Sequence, residues 1–152
     1  MKAVYFTEHG GPEVLQYGDL PEPIPSANEV KIKVRACALN RLDVYTRAGV
    51  RGTKMDLKEP HVLGADVSGE IVEVGSDVTK VSVGDRVVVN PRITCMQCTY
   101  CQSNQSEYCD KAGMVGSGKR VGYAEFAVVP ASSAFPIPTS LSYVQAASLP
   151  TV

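Results

Sequence analysis

The stretch Gly69-Glu70-Ile71-Val72-Glu73-Val74-Gly75 carries the clearest signal of the fold. It nearly alternates polar and apolar side chains, which is the period of a strand with one buried face, and it ends on the turn residues Gly75-Ser76-Asp77. The run Glu29–Ala36 alternates in the same way. Further strands are predicted at Lys2–Phe6, at Arg86–Val89 after the turn Val83-Gly84-Asp85, and at Gly122–Val129 before Pro130. The sequence therefore predicts a mainly β domain, a sandwich or partial barrel.

Two short helices interrupt this pattern. Asn40 is a suitable cap for a helix over Arg41–Ala48, and Gly49 would end it. Ser142 and Gln145 have capping-box spacing and predict a helix that continues through Leu149. No charged side chain occurs from position 126 to position 152, which favours packing of this terminus against something beyond the chain. A buried strand followed by a docked helix is the simpler alternative.

Composition excludes several classes of partner. Fifteen basic and sixteen acidic residues give a net charge of −1, so nothing favours nucleic acid or an anionic membrane surface. No run of 18 apolar residues predicts a transmembrane helix. Met1 leads directly into a strand without a signal-peptide pattern, so we expect a cytoplasmic protein.

The motif Cys95-x2-Cys98-x2-Cys101-x7-Cys109 predicts a metal site. Four thiolates form a closed tetrahedral set, which is typical of structural zinc. Disulfides would need an oxidising compartment, which nothing in the sequence indicates. A [4Fe–4S] cluster is the main rival, but ferredoxin runs continue with x3 and Cys-Pro, whereas Cys109 follows x7 and precedes Asp110. The fifth cysteine, Cys37, is interpreted as a small buried hydrophobe.

A glycine-rich run at Gly113–Arg120 imitates two nucleotide motifs. Arg120 stands where a phosphate-binding P-loop needs Ser or Thr, and Val121 stands where a dinucleotide fingerprint needs its third glycine. The predicted strand that follows also provides no helix N-terminus for phosphate. We therefore expect flexible turns here and no cofactor-binding residues.

The four cysteines and their flanking segments resemble the medium-chain dehydrogenase/reductase family, in particular the structural-zinc lobe of alcohol dehydrogenases. The segments are Gly64–Gly75, Val83–Val87 and Gly122–Phe126, in the order that the family has them. The resemblance implies that residues 1–152 form a GroES-like domain, a partial β-barrel with a zinc lobe at about 91–113. Full-length relatives continue into a Rossmann domain that binds NAD(P)H. The chain is therefore interpreted as a fragment whose cofactor would bind to an absent C-terminal domain, its expected partner.

The departures from zinc alcohol dehydrogenases are informative. Asn40 occupies the position of their first catalytic ligand, a cysteine, and Ala65 that of their second, a histidine. Neither a carboxamide nor a methyl group holds zinc beside water. His61, three residues before Gly64, is interpreted as a surface-loop histidine. The resemblance thus implies one structural zinc and no catalytic zinc.

The segment Asn40-x-x-Asp43-x-Tyr45 resembles the quinone and enone reductases of the family, which transfer hydride without a catalytic metal. This implies that Asn40 and Tyr45 line the substrate pocket and donate hydrogen bonds to the developing oxyanion. A plain helix cap and a core aromatic are the alternatives for these two residues. Most quinone reductases lack the four-cysteine lobe, so the chain resembles a hybrid member.

The expected function is that of the substrate-side domain of an NAD(P)H-dependent oxidoreductase acting on a small quinone or activated carbonyl. The isolated chain is expected to be inactive. A fragment of a zinc-dependent alcohol dehydrogenase and a non-catalytic, zinc-stabilised binding module are the two alternatives. The sequence does not predict the oligomeric state.

Overall fold

The computed structural model of the protein describes residues 1–115 and 121–151. Positions 116–120, the centre of the glycine-rich run Gly113–Arg120, lie outside the described residues, as does position 152. The strands within the described part are β1 (Lys2–Phe6), β2 (Gln16–Asp19), β3 (Glu29–Ala38), β4 (His61–Val62), β5 (Asp66–Val74), β6 (Arg86–Val89), β7 (Arg92–Ile93), β8 (Gly113–Met114), β9 (Phe126–Pro130) and β10 (Ala134–Pro136). The α-helices there are α1 (Arg41–Ala48), α2 (Thr99–Gln102) and α3 (Tyr143–Ala147). No described helix has the length and apolarity needed to cross a membrane.

An antiparallel sheet of five strands in the order β10-β6-β5-β3-β9 forms the centre of the molecule. The alternation along β3 and β5 places one apolar face inward, as predicted. That face and its neighbours form a fully buried core, whose members include Val30, Ile32, Val67, Ile71, Val87, Val89 and Val129. Burying each such side chain contributes roughly 1.5–3 kcal/mol.

A second sheet, β2-β1-β4, is joined to the first by the segment 122–125. The Val4 N–H donates to the Tyr123 carbonyl at 2.7 Å, and the Val34 N–H donates to the Glu125 carbonyl at 2.9 Å. The sequence predicted a strand from Gly122. Because the segment 122–125 crosses from one sheet to the other, regular strand geometry begins only at Phe126. The described sheets stay open and close no barrel, which confirms a mainly β fold of the partial-barrel kind.

Both predicted helix starts are confirmed. Asn40 caps α1, and Gly49 ends it in the left-handed conformation with φ +68°. Ser142 caps α3 through a capping box with Gln145. This helix ends at Ala147 rather than at Leu149, because Pro150 disfavours helical backbone at the residue before it.

The uncharged terminus forms the buried strand β9 and the docked helix α3, which packs against β3, β5 and β6. The small residues Ala146 and Ala147 face this sheet and are buried. Val144 and Leu149 remain 72% and 55% exposed. The simpler interpretation, a buried strand followed by a docked helix, therefore holds for the inner face of the terminus.

The interpretation of His61 as a surface-loop residue was wrong. His61 lies in β4 opposite Phe6 and is 9% exposed. Its ring meets the Phe6 ring edge-on at 5.4 Å between centroids. A two-residue strand is too short to show periodicity, so the sequence carried no signal for this burial.

Candidate metal centre and substrate site

A short hairpin closes the base of the cysteine lobe. Strands β7 and β8 pair Arg92 with Met114 and Ile93 with Gly113. The Arg92 guanidinium donates to the Glu107 carbonyl at 2.6 Å and so connects the base to the far side of the loop. The four cysteines therefore lie on one closed excursion of the chain.

The four cysteine sulfurs converge on one point. All four Sγ atoms lie within 4.8 Å of one another. Three separations are 3.5 Å for Cys98–Cys101, 3.6 Å for Cys95–Cys109 and 3.9 Å for Cys95–Cys101. A tetrahedral ion with Zn–S bonds of about 2.3 Å requires sulfurs about 3.8 Å apart, whereas a disulfide requires about 2.05 Å. The arrangement fits a single tetrahedral ion.

A [4Fe–4S] cluster fits this geometry less well, because it binds each thiolate through a different iron and spreads the sulfurs more widely. Among the described residues, no other set of three or more Cys, His, Asp or Glu side chains converges in this way.

Backbone N–H groups of the lobe point at the cysteine sulfurs. The Cys98 N–H donates to Cys95 Sγ at 3.3 Å, and the N–H groups of Gln97 and Cys98 lower the pKa of the Cys95 thiol to about 6. At Cys98 the Cys101 N–H acts in the same direction, but burial and hydrogen bonds to the other thiols raise its pKa to about 11. Metal binding must therefore displace protons from this cluster, and acid opposes it.

The Asn40 side chain is fixed at both ends. Its Oδ1 accepts from the Leu42 N–H at 3.1 Å, and its Nδ2 donates to Asp66 Oδ2 at 3.3 Å. The Thr151 hydroxyl donates to the other oxygen of Asp66. Asp66 is only 3% exposed. The cap interpretation of Asn40 is confirmed, and it uses only the amide oxygen.

A second buried carboxylate, Asp43, ties three segments together. It accepts from the Asn40 N–H at 2.8 Å, the Gly64 N–H at 3.0 Å and the Tyr123 hydroxyl at 2.8 Å. Burial and the contact with Asp43 raise the pKa of Tyr123 well above its usual range. Sequence reasoning gave no role to Asp43, Asp66, Tyr123 or Thr151. The only sequence feature that indicated one of these contacts was the position of Asp43 three residues after the cap, which is the spacing of a capping box.

Tyr45 lies apart from Asn40. Five positions along a helix correspond to about 140° of rotation, so the two side chains project from different faces. The Tyr45 ring is half-buried and lies 5.0 Å from the guanidinium of Arg51. Its part in a substrate pocket stays a prediction.

Asn40 borders an open cleft of about 790 Å³, whose lining does not include Tyr45. The cleft lies between β1, β2, α1 and the segment 122–125, and its apolar lining includes Val4, Leu15, Val34, Val44 and Leu63. Ala65 lines a separate cavity of about 260 Å³ together with Leu42, Thr46 and Val121. The cleft is thus an apolar surface beside Asn40.

Cys37 lies behind this region, against Gly64 and Gly122. Burial, with the charges of Asp43 and Asp66, raises the pKa of its thiol to about 12. At neutral pH it is a protonated packing residue and a poor metal ligand. It is only partly buried, so the sequence interpretation as a small buried hydrophobe is correct in part.

Comparison with known proteins places this architecture in a family. The alcohol dehydrogenase GroES-like domain matches residues 26–139. The quinone oxidoreductase of Mus musculus is 35% identical over 150 residues, which cover 98% of this chain and 37% of that protein. The solved structure of an NAD-dependent alcohol dehydrogenase superposes with a TM-score of 0.90 at 42% identity, over 99% of this chain and 43% of that one.

The cobalt- and zinc-bound thermostable alcohol dehydrogenase from Pyrobaculum aerophilum gives a TM-score of 0.88 at 36% identity, over 99% of this chain and 44% of that chain. The chain thus spans well under half the length of the proteins it matches. Since the family pattern matches most of its residues, the chain belongs to the alcohol dehydrogenase GroES-like domain family of the medium-chain dehydrogenase/reductase superfamily.

Proposed function

We propose that the chain is the substrate-side domain of an NAD(P)H-dependent oxidoreductase that reduces quinones or activated carbonyls without a catalytic metal. The observation that carries the proposal is the Asn40 amide, which two hydrogen bonds anchor. By the resemblance to zinc alcohol dehydrogenases, Asn40 takes the place of their cysteine ligand. The similarity of the chain to a quinone oxidoreductase, over 98% of its length, supports the proposed substrate class.

The second part of the proposal is that Cys95, Cys98, Cys101 and Cys109 hold one structural zinc. Four thiolates fill the tetrahedron and leave no position for substrate, so this ion would stabilise the lobe and take no part in the reaction. The match to a zinc-bound alcohol dehydrogenase supports the choice of metal.

Asn40 would act on the substrate oxygen. NAD(P)H, when bound, supplies the hydride, and the electron pair displaced from the carbonyl collects on oxygen. The Asn40 Nδ2 carries two hydrogens and donates one to Asp66, so the second is available to this oxygen. Tyr45 is proposed as a second donor, although it would have to reach this oxygen from outside the present lining of the cleft.

Cofactor binding would lie in a second domain. More than half of each matched relative lies outside the similarity, which leaves room for such a domain. We expect this chain alone neither to bind NADPH measurably nor to reduce quinones.

The test joins this chain to the nucleotide-binding half of a relative and follows NADPH oxidation with a quinone. We expect quinone-dependent turnover that needs no added metal and that the chain alone does not show. Zinc-dependent alcohol oxidation without quinone reduction would favour the alternative of a zinc alcohol dehydrogenase. Zinc binding with neither reaction would favour a non-catalytic binding module.

A further inference from the structure

We propose that Asp66 is a positioning residue that aims the amide of Asn40 at the substrate oxygen. The inference rests on the proposed function for its catalytic consequence. Its structural part stands on the hydrogen bonds around Asn40 alone, which no sequence motif had indicated.

The hydrogen bonds around Asn40 fix the orientation of its amide. The Leu42 N–H is a donor, so the Asn40 atom facing it is Oδ1; Asp66 Oδ2 is an acceptor, so the atom facing it is Nδ2. The two contacts agree with each other and exclude a flipped amide. Because the amide is planar, fixing Oδ1 and one hydrogen of Nδ2 fixes the direction of the second hydrogen. Within the described part of the chain, Nδ2 donates to Asp66 alone.

The placement of Asp66 allows it to hold the Asn40 amide in this orientation. Asp66 is the first residue of β5 and pairs with Ala38 of β3, two residues before Asn40. Its carboxylate is buried, and its second oxygen is occupied by the Thr151 hydroxyl. A buried carboxylate that is held at both oxygens has little freedom to rotate away from Asn40.

A fixed Asn40 amide should increase the rate of substrate reduction. An oxyanion donor accelerates a reaction only if it is in place before charge develops. Without Asp66, Nδ2 would lose the anchor that directs its second hydrogen, while Oδ1 would still cap α1. Loss of Asp66 should therefore lower kcat and leave the helix and the zinc lobe in place.

The first experiment needs no activity and uses this chain. Asp66→Leu keeps the branched shape but removes both acceptors, whereas Asp66→Asn keeps one carbonyl acceptor. Asp77→Ala changes a distant surface carboxylate and is the control. By NMR we expect the Asn40 Nδ2 hydrogen that Asp66 accepts to exchange with water severalfold faster in Asp66→Leu, to stay protected in Asp66→Asn, and to keep its wild-type shift and exchange in Asp77→Ala. Unchanged Asn40 signals in a folded Asp66→Leu chain would overturn the proposal.

The second experiment uses the joined protein and a double-mutant cycle. We expect Asp66→Leu to lower kcat about tenfold with little change in KM, Asp66→Asn to restore most of it, and Asp66→Leu to add nothing in an Asn40→Ala background. An equal loss in that background would show that Asp66 acts independently of Asn40 and would overturn the positioning role. If the joined protein reduces no quinone, the proposed function fails, while the NMR result still decides how Asn40 is held. If Asp66→Leu does not fold, Thr151→Val takes its place, since it removes the second anchor of Asp66. We then expect faster exchange of the Asn40 hydrogen that Asp66 accepts and a smaller fall in kcat, and wild-type values of both would overturn the proposal.

Discussion

Asn40 combines a structural and a proposed chemical role in one side chain. Its oxygen caps α1, and its nitrogen faces Asp66 with one hydrogen to spare. In the joined protein, Asn40→Ser should retain a cap but lose the amide donor, so we expect kcat to fall on the order of 100-fold with a smaller change in KM and little change in stability. Asn40→Ala should lower kcat similarly and also cost about 1 kcal/mol of stability.

The pocket role of Tyr45 predicts a fall in kcat for Tyr45→Phe as well. Steady-state kinetics of Asn40→Ser, Asn40→Ala and Tyr45→Phe measure the catalytic contribution of each side chain. Urea unfolding of the same variants measures its contribution to stability. Wild-type kcat in both Asn40 variants would leave Asn40 as a helix cap, and wild-type kcat in Tyr45→Phe would leave Tyr45 as a helix aromatic.

Gly64 is required by both conformation and space. Its φ is +96°, and a Cβ there would lie 2.7 Å from Cys37 Sγ and 2.8 Å from the Tyr123 ring. Gly84 is a matched control, with φ +94° and nothing within 4 Å of a Cβ. We expect Gly84→Ala to cost about 1 kcal/mol from strain alone, and Gly64→Ala to cost about 2–4 kcal/mol because the overlap adds to that strain. Equal unfolding free energies in urea would show that the crowding around Gly64 relaxes without cost.

His61 should make stability depend on pH. Burial, and then the nearby His9, lower the pKa of His61 below its usual value of about 6.5. The unfolded chain then binds more protons than the folded one, so this contribution is fully present above pH about 6.5 and is lost as pH falls below it. We expect His61→Gln to show a shallower loss of stability between pH 7.5 and pH 5.5 than the wild type. Any effect of the metal lobe is common to both proteins, so parallel curves would count against a neutral buried His61.

At the scale of elements, the cysteine lobe is a separate excursion closed by β7 and β8. We expect Cys98→Ser to abolish zinc binding and Cys37→Ser to leave it intact, as measured by metal analysis. Structural zinc stabilises small peptides by roughly 10–16 kcal/mol, but here the five-stranded core does not involve the lobe cysteines. Chelation should therefore raise hydrogen exchange mainly within residues 91–113. Exchange rising equally in β3 and β5 would mean that the whole fold depends on the metal.

The elements that the sequence predicted well are those with local physical signals. Helix α1 begins and ends as predicted because a cap and a terminal glycine act within a few residues of each other. Strand β6 agrees because a turn with Gly84 at φ +94° precedes an apolar run. Strand β4 and the crossing segment 122–125 were not predicted, because their geometry depends on partners distant in sequence.

At the scale of the whole molecule, the candidate site consists of long-range contacts. Asn40 and Asp66 are 26 residues apart, and Asp43 and Tyr123 are 80 residues apart. The sequence shows the residue types but not these pairings, so Asn40 could be predicted as a site residue and its anchor Asp66 could not. The four cysteines were predictable because their spacing is itself the signal of a metal site.

We expect this GroES-like domain to hold one metal ion, in the cysteine lobe, and none at Asn40 and Ala65. Zinc analysis combined with X-ray absorption at the zinc edge tests it most directly on the folded chain. We expect one zinc per chain with four sulfur ligands at about 2.3 Å. Two zinc ions per chain, or a shell containing nitrogen or oxygen ligands, would contradict it.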